Sequence, residues 1–405
     1  MVKRAVFQIA FSPEWGRQMR FITGPRQSGK TTLSKIKLEE AETENLYYLW
    51  DLRTVRERYK GNQLFFTEDQ LWTQKTPWVC FDEIHKVPKW KNALKAIFDS
   101  SSERYRFIVT GSAKFDIFRR VGDSLAGRYF TFHLFPFLLE ELVHPGRISG
   151  RTAQSALDFV REALDSHSGN ASSELTALLE YGGFPEPFLR ASKTFQAKWA
   201  EDYTDTVIRE DIGALTRITD REYLYDLYQL LPEMVGSPIS EASLASHLEL
   251  SPPTVKSYLR RLEDFYLAFK VHPYSKNIKR ALLKAPKCYL YDWTRLKDLG
   301  RRFENYVAVE LMTRLHLWMD GSEDRYALFY IRTRQKEETD FLILKNKEPW
   351  LLVETKLSDG PIAAHHSRMQ AALGGVPFVQ LCRKDGVCEK EEGSRFRISA
   401  SRLLA

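Results

Sequence analysis

The chain changes its hydrophobic rhythm three times. Up to about residue 149, short unbroken apolar runs are separated by longer mixed stretches: Met19 to Thr23, Pro77 to Phe81, Arg106 to Thr110 and Tyr129 to Leu134. Runs of this length without polar alternation are strands buried on both faces, so this part is expected to be an α/β core. From Gly150 to Asp220 the period becomes helical, with amphipathic runs over Ala153 to Leu164 and Ser172 to Leu179, broken at Gly182-Gly183-Phe184-Pro185. From residue 221 to 297 two short helices are predicted, Ser240 to Leu250 and Thr254 to Phe265, the second with Val255, Tyr258, Leu259 and Leu262 on one face. Strand-like segments follow at Tyr266 to Val271 and Tyr289 to Tyr291. The last part, 298 to 405, reads as a helix around Phe303 to Leu311 and then strands over Ala327 to Ile331, Glu338 to Leu344 and Trp350 to Lys356.

The first run leads into Gly24-Pro25-Arg26-Gln27-Ser28-Gly29-Lys30-Thr31-Thr32, and helix formers fill Leu33 to Glu42. Strand, glycine loop and helix in that order form a phosphate cradle. Backbone N–H groups turn inward, the helix N-terminus favours an anion, Lys30 reaches the outer phosphates and the Thr31 hydroxyl can ligate magnesium. ATP with Mg2+ is therefore the expected ligand.

The second run ends in Asp82-Glu83, 52 residues after Lys30. There the two carboxylates have separable tasks, Asp82 in the magnesium shell and Glu83 polarising the water that attacks the γ-phosphate. The third run ends in Gly111-Ser112, which offers Ser112 as a γ-phosphate sensor or as a plain turn serine. Before the fourth stands Ser124-Leu125-Ala126-Gly127-Arg128. In these motifs the chain resembles the AAA+ ATPases, especially their clamp-loader-like branch. The resemblance implies that Arg128 reaches a neighbouring subunit's ATP and that hydrolysis needs an oligomer, a closed ring in that family's manner. A salt bridge within the chain is the other reading of Arg128.

Two helices joined by a tight turn at Ser251-Pro252, followed by a strand pair, have the order of a winged helix-turn-helix. Gly236 to Leu290 holds nine Lys or Arg against four Asp or Glu, a net +5 out of +7 for the whole chain. Lys256, Arg260, Arg261, Lys276, Lys279 and Arg280 are the residues expected near the phosphates of duplex or branched DNA. A winged helix that only spaces proteins apart is the alternative.

At the end of the chain, Glu304 lies on the apolar face with Val307, Ala308 and Leu311, and a buried carboxylate needs a partner. Asp340 starts a strand, while Glu354 and Lys356 point the same way from another. This pattern resembles the PD-(D/E)XK restriction-endonuclease fold over Asp298 to Leu381, with Thr339 where the family's proline usually stands. The resemblance implies that Asp340 and Glu354 bind Mg2+ or Mn2+, that Glu304 assists the metal shell and that Lys356 orients a water; domains of this kind also exist that only bind.

The expected architecture is an α/β P-loop AAA+ core over 1–149, a helical lid over 150–220, a winged helix-turn-helix over 221–297 and an endonuclease-like domain over 298–405. Composition adds few exclusions. No apolar run approaches the roughly 18 residues of a bilayer crossing, and Glu14 and Arg17 interrupt any leader-like core, so a cytoplasmic location is expected. Cys80, Cys288, Cys382 and Cys388 fit neither a redox nor a zinc motif and are expected to be buried thiols. The leading reading is an oligomeric ATPase that acts on DNA as a motor or switch. Its rivals are a nucleotide-gated nuclease and a signalling or scaffold ATPase that hydrolyses slowly.

Overall fold

The computed structural model describes residues 2–84, 88–111, 125–147, 155–165, 171–213, 221–275 and 285–405. Two compact units account for them. One comprises Val6–Phe135 with Asp264–Tyr266, the other Met1–Ala5, Pro136–Glu263 and Leu267–Ala405. The lid, winged-helix and endonuclease-like segments expected over 150–405 thus fall almost entirely within one unit.

The first unit is built on a parallel five-stranded sheet of β1 (Met19–Thr23), β2 (Tyr47–Leu49), β3 (Trp78–Asp82), β4 (Arg106–Gly111) and β5 (Tyr129–His133), in the order β2-β3-β4-β1-β5. All five residues of β1 and of β3 are buried, as the unbroken apolar runs predict. Arg20 is the exception in kind. It sits in the middle of β1 at 1% exposure, and its guanidinium donates to the carbonyls of Ala10 (2.9 Å), Gly16 (3.2 Å) and Gln18. Burial, and then Arg106, pull its pKa down to about 10, and backbone dipoles keep it satisfied. An aromatic cluster fills one face of the sheet, with Phe81 and Phe107 stacked at 5.9 Å and Phe66 edge-on to both.

The second unit carries helices over Ala156–Asp165, Ala171–Tyr181, Pro185–Arg190 and Lys193–Asp205. The Gly182-Gly183 break has a packing cause: a Cβ on Gly183 would lie 2.6 Å from the Trp293 ring and 2.9 Å from Pro136. Ser240 caps the helix Glu241–His247, and the helix Pro252–Asp264 follows. Next come β6 (Ala268–Pro273) and β7 (Lys287–Leu290), which pair antiparallel.

Those two strands do not stand alone. With β8 (Tyr326–Arg332), β9 (Glu338–Lys345), β10 (Glu348–Lys356), β11 (Phe378–Cys382), β12 (Cys388–Glu391) and β13 (Arg395–Ser399) they make one eight-stranded mixed sheet, ordered β12-β13-β11-β10-β9-β8-β6-β7. The join is the parallel pairing of His272 and Pro273 with Phe329 and Tyr330. The strand expected at Tyr289 begins two residues earlier, at Lys287, because Lys287 and Cys288 pair with Val271 and Lys270 of β6. Cys80, Cys288 and Cys382 are buried as expected, but Cys388 is exposed on β12. No helix among the described residues is long and apolar enough to cross a membrane.

One ion-pair network fastens the long helix Leu299–Asp320 into this unit. The Arg314 guanidinium, 1% exposed, donates to Glu140 (2.9 Å), to Glu310 (3.4 Å) and to the carbonyl of Leu404 (2.9 Å). Burial pushes the Glu310 carboxyl up to about 7 although Arg314 pulls it down. Removing the arginine leaves two buried carboxylates without their main counter-charge, Glu310 keeping the Leu139 amide at 3.3 Å and Glu140 a longer pair with Arg147 at 3.7 Å. Arg314→Leu is expected to cost about 3–5 kcal/mol, read as a lower urea midpoint at unchanged transition slope; a loss under about 1 kcal/mol would show the network to be incidental.

Candidate functional site

The loop Gly24–Thr32 follows β1 and opens the helix Lys30–Glu40. Its backbone is shaped by three left-handed positions, Gly24 (φ 151°), Gln27 (φ 60°) and Gly29 (φ 100°). Gly24 has no substitute, since a Cβ there would stand 2.0 Å from the carbonyl oxygen of Leu134. Pro25 and Ser28 are buried, Arg26 is half-buried, and Gln27, Thr31 and Thr32 are exposed. The Lys30 side chain folds back into the loop and donates to the carbonyls of Gly24 (2.9 Å) and Pro25 (2.6 Å).

Asp82 ends β3, two strands from β1, with β4 between them. Its carboxylate nonetheless accepts a hydrogen bond from the Thr31 hydroxyl at 2.8 Å. Thr110, on β4, donates to its other oxygen, and the Tyr47 phenol from β2 donates to the oxygen that Thr31 uses. Burial, and then the bond to Asp82, hold the Tyr47 phenol well above its usual range, so it stays a donor. Thr31 and Asp82 together offer two hard oxygen ligands side by side, a donor set that fits magnesium. Tyr47 and Thr110 were not singled out in the sequence, where a tyrosine opening a short strand and a threonine ending one carry no signal.

Glu83 follows directly in the left-handed region (φ 60°), rare for a residue with a side chain, while its N–H donates to the carbonyl of Thr110 at 3.2 Å. Ser112 lies outside the described residues. Arg128 makes a two-point pair with Asp99 on the same surface, Nε to Oδ1 at 2.7 Å and Nη2 to Oδ2 at 3.0 Å. The salt-bridge reading therefore describes its position in the single chain.

In the second unit Lys256 and Arg260 are exposed, one turn apart, on the helix Pro252–Asp264, and Arg261 is half-buried. Lys276, Lys279 and Arg280 lie outside the described residues. The local excess of basic charge reaches the surface only in part. Lys270 is paired with Glu263 at 3.1 Å, and Lys287 is buried.

Two carboxylates of the endonuclease-like motif, Glu304 and Asp340, meet around that lysine, with Glu338 beside them. Lys287 Nζ, with its side chain 1% exposed, lies 2.6 Å from Glu338, 3.1 Å from Glu304 and 3.6 Å from Asp340. Burial pulls the ammonium's pKa down, but Glu304, Asp340 and Glu338 outweigh it and the net shift is upward. Glu304 also accepts from the Tyr289 phenol at 2.8 Å. Asp340 accepts from the Thr355 amide and hydroxyl at 2.9 and 2.6 Å. Glu354 accepts from Lys356 at 2.6 Å and from the Asp340 amide at 3.2 Å. Burial, and then Asp340, push the Glu354 carboxyl up to about 8. Among the described residues no group of three His, Cys, Asp or Glu is arranged to hold a metal ion. The expected metal set of Glu304, Asp340 and Glu354 thus does not fit a divalent cation here, with Glu304 Oε1 and the oxygens of Asp340 and Glu354 engaged by ammonium, hydroxyl and amide donors.

Residues 16–143 match the family model described as AAA domain, and two further stretches, 172–297 and 299–397, match models described as domains of unknown function, DUF8612 and DUF4143. An uncharacterized protein of Mycobacterium tuberculosis is 26% identical over 373 residues, 89% of this chain and 74% of the relative. An uncharacterized protein of Haemophilus influenzae is 24% identical over 344 residues, 79% of this chain and 80% of that one. Among solved structures, the Aeropyrum pernix ORC1 protein in complex with DNA is 13% identical, covers 75% of this chain and 87% of its own, and superposes with a TM-score of only 0.32.

His366 supplies a pH test of the carboxylate cluster. Its Nδ1 meets the Thr339 hydroxyl at 2.8 Å, and burial, followed by His365 and Lys356, pushes its pKa down to about 4. Between the unfolded value of about 6.5 and that folded value, only the unfolded chain takes up the proton, so stability falls as pH falls. From pH 7 to 4.5 the wild type is expected to lose about 1–3 kcal/mol more than His366→Gln in chemical denaturation. Equal losses would mean that the ring is protonated in the folded protein.

The loop geometry and the Thr31–Asp82 bond lie within residues 16–143, the stretch similar to the AAA domain, and together they support a P-loop nucleotide site in this part of the chain.

Proposed function

We propose that the chain is an ATP-hydrolysing AAA+ protein that works as an oligomer on duplex or branched DNA, as a motor or switch. The observation that carries the ATPase reading is the 2.8 Å bond from Thr31 to Asp82, which brings the loop hydroxyl and the strand-end carboxylate to one point. Magnesium held there would neutralise charge on the outer phosphates. The protein's own residues do the rest. Lys30 exchanges its carbonyl partners Gly24 and Pro25 for phosphate oxygens, and Glu83 accepts a proton from the attacking water. The strained backbone at Glu83 is the kind of local cost that persists where a side chain must be aimed.

The oligomer reading rests on Arg128. Its partner Asp99 is 45% exposed and Arg128 itself 26%, so the pair is open to exchange for the phosphates of a neighbouring subunit. The DNA reading rests on the helix Pro252–Asp264, which follows a short capped helix and precedes the β6–β7 hairpin in the manner of a winged helix, with Lys256 and Arg260 outward.

Glu83→Gln is expected to lower kcat for ATP about 10²- to 10⁴-fold while nucleotide binding stays within a few-fold of wild type. A parallel loss of binding would place Glu83 in the fold rather than in the chemistry. For the DNA reading, duplex or forked DNA is expected to stimulate hydrolysis at low salt. Lys256→Ala combined with Arg260→Ala should weaken binding regardless of sequence and reduce the slope of log K against log salt by about two. Hydrolysis indifferent to duplex, branched and single-stranded DNA would leave the protein as an ATPase with some other partner.

A further inference from the structure

Glu304, Glu338, Asp340 and Glu354 converge from one helix and two strands, and such a group of carboxylates must be balanced when it leaves water. In an endonuclease-like site the balance is a divalent cation. Here a cation of the chain's own stands among them. Lys287 comes from β7, outside the span of the endonuclease resemblance, and reaches three of the four carboxylates within 3.6 Å.

The strand that delivers it is held on every side. Asn305, one residue after Glu304, binds both the N–H and the carbonyl of Leu290 at 2.9 and 2.7 Å. Tyr289 donates to Glu304, and the carbonyl of Ala285 accepts from the Tyr330 phenol at 2.8 Å. On the opposite side the turn at Gly236 (φ 81°) passes so close that a Cβ there would lie 2.8 Å from Glu304 Oε2. Room for the Glu304 carboxylate against Lys287 is therefore secured by a glycine and by two anchored strand residues. The ammonium is built in.

We propose that Lys287 is the resident cation of this cluster and stands where Mg2+ or Mn2+ would have to bind, so that the C-terminal carboxylates form a fixed ion-pair core and the endonuclease-like part does not cut. Magnesium-type ions need about six oxygens at roughly 2.1 Å. An ammonium at 2.6–3.6 Å from the same oxygens excludes such a shell by space and by charge. Lys356, the residue expected to orient a water, donates instead to Glu354.

The test is Mn2+ binding by the nucleotide-free full chain, followed by electron paramagnetic resonance, in an Asp82→Asn background that disables the loop site. With Lys287 intact, no Mn2+ site that depends on Asp340 is expected: Asp340→Asn should leave the titration unchanged. Lys287→Ala is expected to gain one Mn2+ per chain, at least tenfold tighter than any binding at that place in the parent, and to lose it again when Asp340→Asn is added. A parent that binds Mn2+ through Asp340, or an otherwise wild-type chain that nicks plasmid DNA with Mn2+ and stops in Lys356→Ala, overturns the proposal. So does a folded Lys287→Ala that gains no Mn2+, since the lysine would then not be in a metal's place. Where Lys287→Ala fails to fold without metal, recovery of its native circular dichroism by Mn2+ supports the proposal, and the comparison between parent and Asp340→Asn still decides against it if Mn2+ binds there.

Discussion

An ionised side chain taken out of water needs a partner buried with it, and the choice of partner decides what the group can still do. Four groups in this chain meet that constraint in different ways. Arg20 is satisfied by backbone carbonyls, Arg314 by two carboxylates and a carbonyl, Asp82 by hydroxyls from Thr31, Tyr47 and Thr110, and Lys287 by three carboxylates. Carbonyls and hydroxyls orient a charge without cancelling it. Opposite charges cancel it and lock it in place.

This difference separates the two candidate sites. At the loop, Lys30 rests on neutral carbonyls that a phosphate can replace, and Asp82 is aimed by neutral hydroxyls while its charge stays available for a cation. Binding there exchanges weak partners for strong ones. In the carboxylate cluster the exchange has already been made within the fold. A divalent ion arriving there would have to expel an ammonium from a strand fixed by Asn305 and Tyr289, and would leave that ammonium with no partner of equal strength.

The sequence made the loop and its strands legible because their signals are local. Unbroken apolar runs mark β1, β3 and β4, two glycines and a lysine mark the cradle, and a carboxylate pair marks the end of β3. What it could not show are contacts between residues far apart in the chain. Tyr47 reaches Asp82 across 35 residues through a single phenol, and nothing near Tyr47 signals that role. Lys287 enters the sequence reading only within the basic excess of Gly236 to Leu290, and a lysine among positive neighbours looks solvated until its strand is seen to join the sheet. Glu354 on β10 is marked by its alternation with Lys356 and Asp340 on β9 by its place at a strand start, but Glu338 carries no such signal, and the identity of their counterion depends on a strand placed outside the motif.

That placement also bears on the division of labour within the C-terminal unit. The helix Pro252–Asp264 leads through β6 into β7, so the segment that follows the exposed Lys256 and Arg260 is the one that carries Lys287 into the cluster. Opening a metal site by withdrawing Lys287 would mean pulling its buried ammonium off three carboxylates at the edge of the eight-stranded sheet. An edge strand held by its neighbour's backbone, by Asn305 and by three carboxylates is a poor moving part. The cluster is therefore better suited to fixing the hairpin beside the candidate DNA-binding helix than to chemistry of its own.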